Sequence, residues 1–197
     1  MSTRFFLLAG LLCTLAMGVS AAGCNEYAQQ LAQMRVADQS LREFHLQSSV
    51  IPQRLGRASG VIDRGNTGRL KVLLNRCGWP VASKYGMQAS TDAWLLVQHA
   101  DGDRKFQHQA LALLERAVQM GEARGGDLAY LSDRLAVSEG RIQLYGTQFT
   151  GIENCRLVLA PIDTREAVNE RRRAVAGMPS LEEYEEYANA HTLSECR

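Results

Sequence analysis

The sequence predicts a mainly α, compact single helical domain carrying one small β-hairpin at about residues 141–160. Three observations point there. Apolar residues recur at helical spacing over most of the chain beyond residue 22. Capping residues and Gly/Pro stops cut that pattern into segments of ordinary helix length. Alternation of the strand kind occurs only near the hairpin region. A chain of 197 residues has room for one domain and hardly for two.

Residues 1–22 read as a cleavable bacterial signal peptide. Arg4 supplies the positive start, Phe5 to Val19 is almost wholly apolar, and Ser20-Ala21-Ala22 offers small residues for cleavage. The apolar run falls short of the roughly 20 residues that a spanning helix needs. Export follows as the expectation, with 23–197 as one domain. Ala21-Ala22-Gly23-Cys24 also reads as a permissive lipobox, in which the leader extends to residue 23 and Cys24 carries lipid. Ala21 stands where such motifs usually have a large aliphatic residue. A soluble periplasmic protein and a membrane-anchored lipoprotein both stay open.

Beyond the leader stand Cys24, Cys77, Cys155 and Cys196, an even number in a compartment that permits disulfides. Four cysteines allow three pairings, and buried or free thiols are the alternative. Their wide spacing argues against metal-binding CxxC pairs. Removing Arg4 with the leader leaves 21 basic and 21 acidic side chains. Such a balance gives no electrostatic footprint for nucleic acid.

From Asn25 to about Gln47, Tyr27, Leu31, Met34, Asp38, Leu41 and His45 share one helical face. Asp38 and His45 therefore lie on or beside a stripe meant for the core, with Arg42 one turn on as a partner for Asp38; a rotated helix in which Asp38 forms only a surface ion pair is the competing reading. Val50 to Gly60 reads as irregular because of Pro52, Gly56 and Gly60. A helix is expected to restart at Asn66 or Thr67 and to stop at Gly78-Trp79-Pro80. Val81 to Ala89 reads as a loop and Ser90 as the cap of a helix whose Ala93 to Val97 is apolar all round, hence central. Phe106 to Val118 is amphipathic, and Asp127 is expected to cap a helix from Leu128 to about Val137. Arg141 to Phe149 alternates and is expected to pair with Arg156 to Ala160. Asp163 with Glu166, and Ser180 with Glu183, have capping-box spacing before two final helices.

The chain has no HExxH, GxSxG, Walker loop or dinucleotide fingerprint, so no cofactor is expected. No histidine has a partner at metal-ligand spacing; His99 with Asp101 and Asp103 reads as helix capping and surface charge, and no metal is expected. The polar residues that could form a site are dispersed: His99, Asp133, Arg134, Gln143, Tyr145 and Gln148. His99 closes an apolar helix and needs a partner near the core. A carboxylate orienting a histidine is a common acid–base arrangement, which casts His99 and Asp133 as catalytic partners. Arg134 could hold a substrate carboxylate or phosphate, with Gln143, Tyr145 and Gln148 completing the binding surface. A purely structural polar network is the competing reading of the same residues.

Several blocks occur in order: Gly78-Trp79-Pro80, Gln98-His99-Ala100-Asp101, Tyr130-Leu131 with Asp133-Arg134, and Gln143 with Tyr145-Gly146-Thr147-Gln148. With Asp38-Gln39 and Arg42 they make the chain resemble an uncharacterised bacterial family, a domain of unknown function. The resemblance implies that these His, Asp, Arg, Tyr and Gln positions belong to the family's pattern; it implies no reaction. The functional expectation is an exported protein, hydrolase-like with a His/Asp polar site, or else a non-catalytic periplasmic binding or inhibitor/immunity-type protein. Its partner would be a small molecule or an exported protein, and membrane attachment would come only through lipid at Cys24.

Overall fold

The computed structural model describes residues 24–47 and 52–192. The leader, and the cleavage reading attached to it, lie outside the described residues. Helices α1 (Tyr27–Gln47), α2 (Pro52–Cys77), α3 (Ala82–Tyr85), α4 (Met87–Gln98), α5 (Arg104–Gln119) and α6 (Gly125–Ser138) precede a hairpin of β1 (Phe149–Glu153) and β2 (Arg156–Leu159). Helices α7 (Arg165–Arg173) and α8 (Leu181–Thr192) follow. The mainly helical class with one small hairpin is thus observed. No described helix is long and apolar enough to cross a membrane.

Helix α4 is central, as its apolar sequence predicts: Ala93, Leu96 and Val97 are buried against α1, α2, α5 and α6. Tyr27, Leu31 and Met34 of α1 and Leu70, Leu73 and Leu74 of α2 complete that side of the core. Two corrections concern the first half. Helix α2 does not start at Asn66 but runs unbroken from Pro52, through Gly56, Gly60, Gly65 and Gly68. A helical glycine costs about 0.5–1 kcal/mol relative to alanine, which packing of α2 along α1 outweighs. Asn66 caps nothing; it is buried, and its side-chain amide donates to the Met34 carbonyl across the helix pair at 3.4 Å. The expected loop over 81–89 contains α3 and the first turn of α4, so Ser90 is interior and its hydroxyl accepts the Trp79 indole N–H at 2.8 Å.

Cys24 and Cys77 form a disulfide that ties the start of the domain to the end of α2, and Cys155 is disulfide-bonded as well. This bond uses the Cys24 sulfur, which has no valence left for the thioether of a lipid anchor. Of the outcomes open for Cys24 (lipid anchor, disulfide, or buried or free thiol), the fold contains the disulfide.

The second half is corrected by a shift in register. Residues 141–148 form no strand; one isolated bridge joins Gln143 to Ile162. The strands lie further on and meet at a two-residue turn, Asn154 and Cys155, with φ of 48° and 56°. Two successive left-handed residues suit the twist of a tight hairpin. Asp127 lies in the first turn of α6 without capping it, because the helix begins two residues earlier. Thr164, not Asp163, caps α7 through the Ala167 N–H at 3.2 Å. The Ser180–Glu183 box forms as expected, with reciprocal bonds of 2.8 and 3.3 Å.

Candidate functional site

His99 sits at the C-terminal end of α4 and closes one end of a cleft of about 500 Å³. Helix α2 forms the other wall through Gly60, Asp63, Thr67, Gly68 and Lys71. The glycines there leave out side chains that would narrow the opening. The imidazole is about four-fifths buried, and its Nδ1 lies 2.9 Å from both oxygens of Asp38. Asp38 comes from α1, where the helical stripe buries it at 2% exposure. Its other neighbours are Arg42, whose guanidinium approaches both its oxygens at 3.3–3.4 Å, and the Gln39 amide. Arg42 also reaches Asp63 on α2, with Nη2 to Oδ1 at 2.6 Å. An oxygen of Asp38, an oxygen of Asp63 and a ring nitrogen of His99 all lie within 4.8 Å of one another.

The two carboxyls are pushed apart in acidity. Burial raises Asp38, but hydrogen bonds and charge from His99, followed by the bonds from Arg42 and Gln39, outweigh it and hold the group at about 2. For Asp63 burial is the stronger effect, and the carboxyl is raised above its ordinary value despite Arg42. Asp38 is thus a fixed anion that can orient the imidazole and stabilise its protonated form. With Nδ1 held by Asp38, the ring has its second nitrogen for a ligand or a water molecule.

The carboxylate beside His99 is therefore Asp38, and the expected pairing of His99 with Asp133 is corrected. Asp133 is fully buried on α6 and serves the loop 141–148. It accepts the backbone N–H groups of Leu144 (2.8 Å), Tyr145 (3.1 Å) and Thr147 (3.1 Å) and the Thr147 hydroxyl (3.0 Å). Burial nevertheless raises its carboxyl above the ordinary value. Gln143 is equally buried; its amide donates to the Gln148 and Ala160 carbonyls and accepts the Gln148 N–H. The Gln148 side chain donates to the Thr147 hydroxyl. Tyr145 enters through its backbone, whose carbonyl accepts from Arg172 at 2.6 Å. Asp133, Gln143, Tyr145 and Gln148 thus bond with each other around a loop and not with His99, which is the arrangement of the competing, structural reading.

Arg134 lies nearer the cleft. It forms a forked pair with Asp101, Nε to Oδ1 at 3.0 Å and Nη2 to Oδ2 at 2.5 Å, and Asp101 lines the cleft. Asp103 caps α5 through the Phe106 N–H at 3.0 Å and pairs with Lys71, so the capping role read for it holds. Sequence reasoning missed Asp63, which falls just beyond the stretch read as irregular. The signal for Asp38 was present: an ionisable residue on a core-facing stripe.

The chain belongs to a family of unknown function (DUF6624), whose model matches residues 25–193. No curated protein and no solved structure matches it.

Proposed function

We propose that the cleft is the reaction centre of a hydrolytic enzyme in which His99, backed by Asp38, activates water. The observation that carries this reading is the position of the His99 Nδ1, 2.9 Å from both oxygens of a buried carboxylate, at the end of an open cleft. Asp38 fixes the ring and favours the charge it gains on taking a proton. The proton then passes from the imidazole to the leaving group. We also infer that the protein works outside the cytoplasm, and the Cys24–Cys77 bridge supports this because disulfides persist in oxidising compartments.

The test is turnover of chromogenic carboxylic and phosphoric esters by the purified protein, with His99→Ala as the blank. The expected result is hydrolysis that His99→Ala and Asp38→Asn both abolish while the thermal melt stays cooperative. Hydrolysis that is unchanged in His99→Ala would overturn the assignment. Saturable binding of an ester without turnover, lost in His99→Ala, would replace the enzyme by a binding protein. Mass spectrometry of protein from the producing cell tests export; an intact Met1 would rule it out.

A further inference from the structure

We propose that Asp38, Asp63 and His99 form a binding site for a divalent transition-metal ion, with Arg42 as the counter-cation that the ion displaces. The inference shares the cleft of the hydrolytic reading and names what holds its water. Three helices contribute one donor each: α1 brings Asp38, α2 brings Asp63, and the end of α4 brings His99. Their ligand atoms already lie within 4.8 Å of one another. Metal–ligand bonds of about 2.0–2.2 Å place opposite ligands a little over 4 Å apart, so only a small closure is needed. One imidazole and two carboxylates is a mixed nitrogen and oxygen set that suits zinc or manganese.

The surroundings are those of an open site. Asp63 and His99 both line the cleft, so further coordination positions face its volume and are open to water or substrate. An ion there would lower the pKa of such a water, supplying the nucleophile that the hydrolytic reading requires. With an ion bound, the imidazole is a ligand and cannot also take the water's proton, so the activation of water passes from His99 to the ion while the cleft and its residues stay those of the hydrolytic reading.

Arg42 explains how two carboxylates stay together without an ion. Its guanidinium donates to Asp63 at 2.6 Å and reaches Asp38 at 3.3 Å, spanning the donors. The side chain is about one-third exposed, which leaves it a path to solvent. A metal and Arg42 therefore compete for the same oxygens, and removing the arginine has a direction opposite to removing a ligand.

The experiment is a titration of the full, disulfide-bonded, chelator-treated protein with Mn²⁺, followed by the loss of the free-ion paramagnetic resonance signal, and with Zn²⁺ by calorimetry. One ion per chain is expected. Asp63→Asn and His99→Ala should weaken binding by at least about tenfold, the smallest loss usual for disturbing a metal's supporting groups. Arg42→Met should bind as tightly as the parent or more tightly. Thermal melts identify any variant that does not fold, and the Arg42→Met arm then still decides. No binding of either ion at millimolar concentration, binding indifferent to Asp63→Asn and His99→Ala in folded protein, or binding lost in folded Arg42→Met would each overturn the site. Ester turnover that depends on His99 but survives exhaustive chelation would preserve the hydrolytic reading and overturn this one.

Discussion

Asp133 and Arg172 hold the two sides of one residue's backbone: Asp133 accepts the Tyr145 N–H at 3.1 Å, and Arg172 donates to the Tyr145 carbonyl at 2.6 Å. Both side chains are essentially fully buried. Arg172 is also held by the Pro179 carbonyl and lies over the Tyr184 ring, 5.0 Å from its centroid. The loop between α6 and the hairpin thus has its amides satisfied by an anion and its carbonyls by a cation. Asp133→Ala should destabilise the protein by about 3 kcal/mol or more, since each buried donor left unpaired costs about 1–3 kcal/mol. A denaturant melt measures it. The double variant with Arg172→Met should lose less than the sum of the singles, because both act through the same loop.

Gly146 lies in the same loop with φ of +65°, and a Cβ there would come within 2.6 Å of Leu181 Cδ1. Gly146→Ala should therefore cost about 2–4 kcal/mol, from the left-handed backbone and the overlap together. In a Leu181→Ala background the overlap disappears and about 1–2 kcal/mol should remain. Equal losses in the two backgrounds would place the whole cost in the backbone.

Asp127 gives a pH dependence with a defined sign. Burial pushes its carboxyl from 3.8 to about 6, against the smaller opposing effects of Arg124 and Thr91. The folded state thus holds the proton more tightly than the unfolded chain. This group's contribution to stability falls as pH rises from about 4 to about 6 and is level outside that window. Asp127→Asn should remove this slope and raise stability at pH 7 by on the order of 2 kcal/mol. Asp38 has the opposite sign: its lowered carboxyl stabilises the fold above 3.8, and that contribution is lost as pH falls towards about 2. Melting temperatures across pH 2–7 for parent and Asp127→Asn separate the two.

Reduction of the Cys24–Cys77 bond should lower stability by about 2–5 kcal/mol, the usual cost for a small domain. Cys24→Ser should reproduce that part of the loss, measured by thermal melting with and without reductant. An identical melt would show that the helix core alone fixes the N-terminal segment.

Local pattern determined a good deal of this protein. The apolar run Ala93–Val97 made α4 central, Gly78-Trp79-Pro80 ended α2, and Ser180 with Glu183 built the box before α8, because each depends on neighbours within a few residues. The stripe placed Asp38 at the edge of the core face, and the structure decided between burial and a surface ion pair in favour of burial.

Tertiary packing decided the rest. Alternation in 141–148 looked like a strand, yet its amides found the Asp133 carboxylate instead of a neighbouring strand, and a backbone donor is satisfied equally by either. Pro52, Gly56 and Gly60 argued for an irregular stretch where α2 runs, but a helix lying along α1 recovers through contact what glycine loses in propensity. The partner of His99 was decided in the same way. Asp38 is 61 residues away in sequence, and only the packing of α1 against α4 brings its carboxylate to the imidazole. Asp133, the nearer carboxylate in sequence, was already committed to a loop. A histidine's need for a partner can be read from its position on an apolar helix; which partner meets that need depends on which helices pack together.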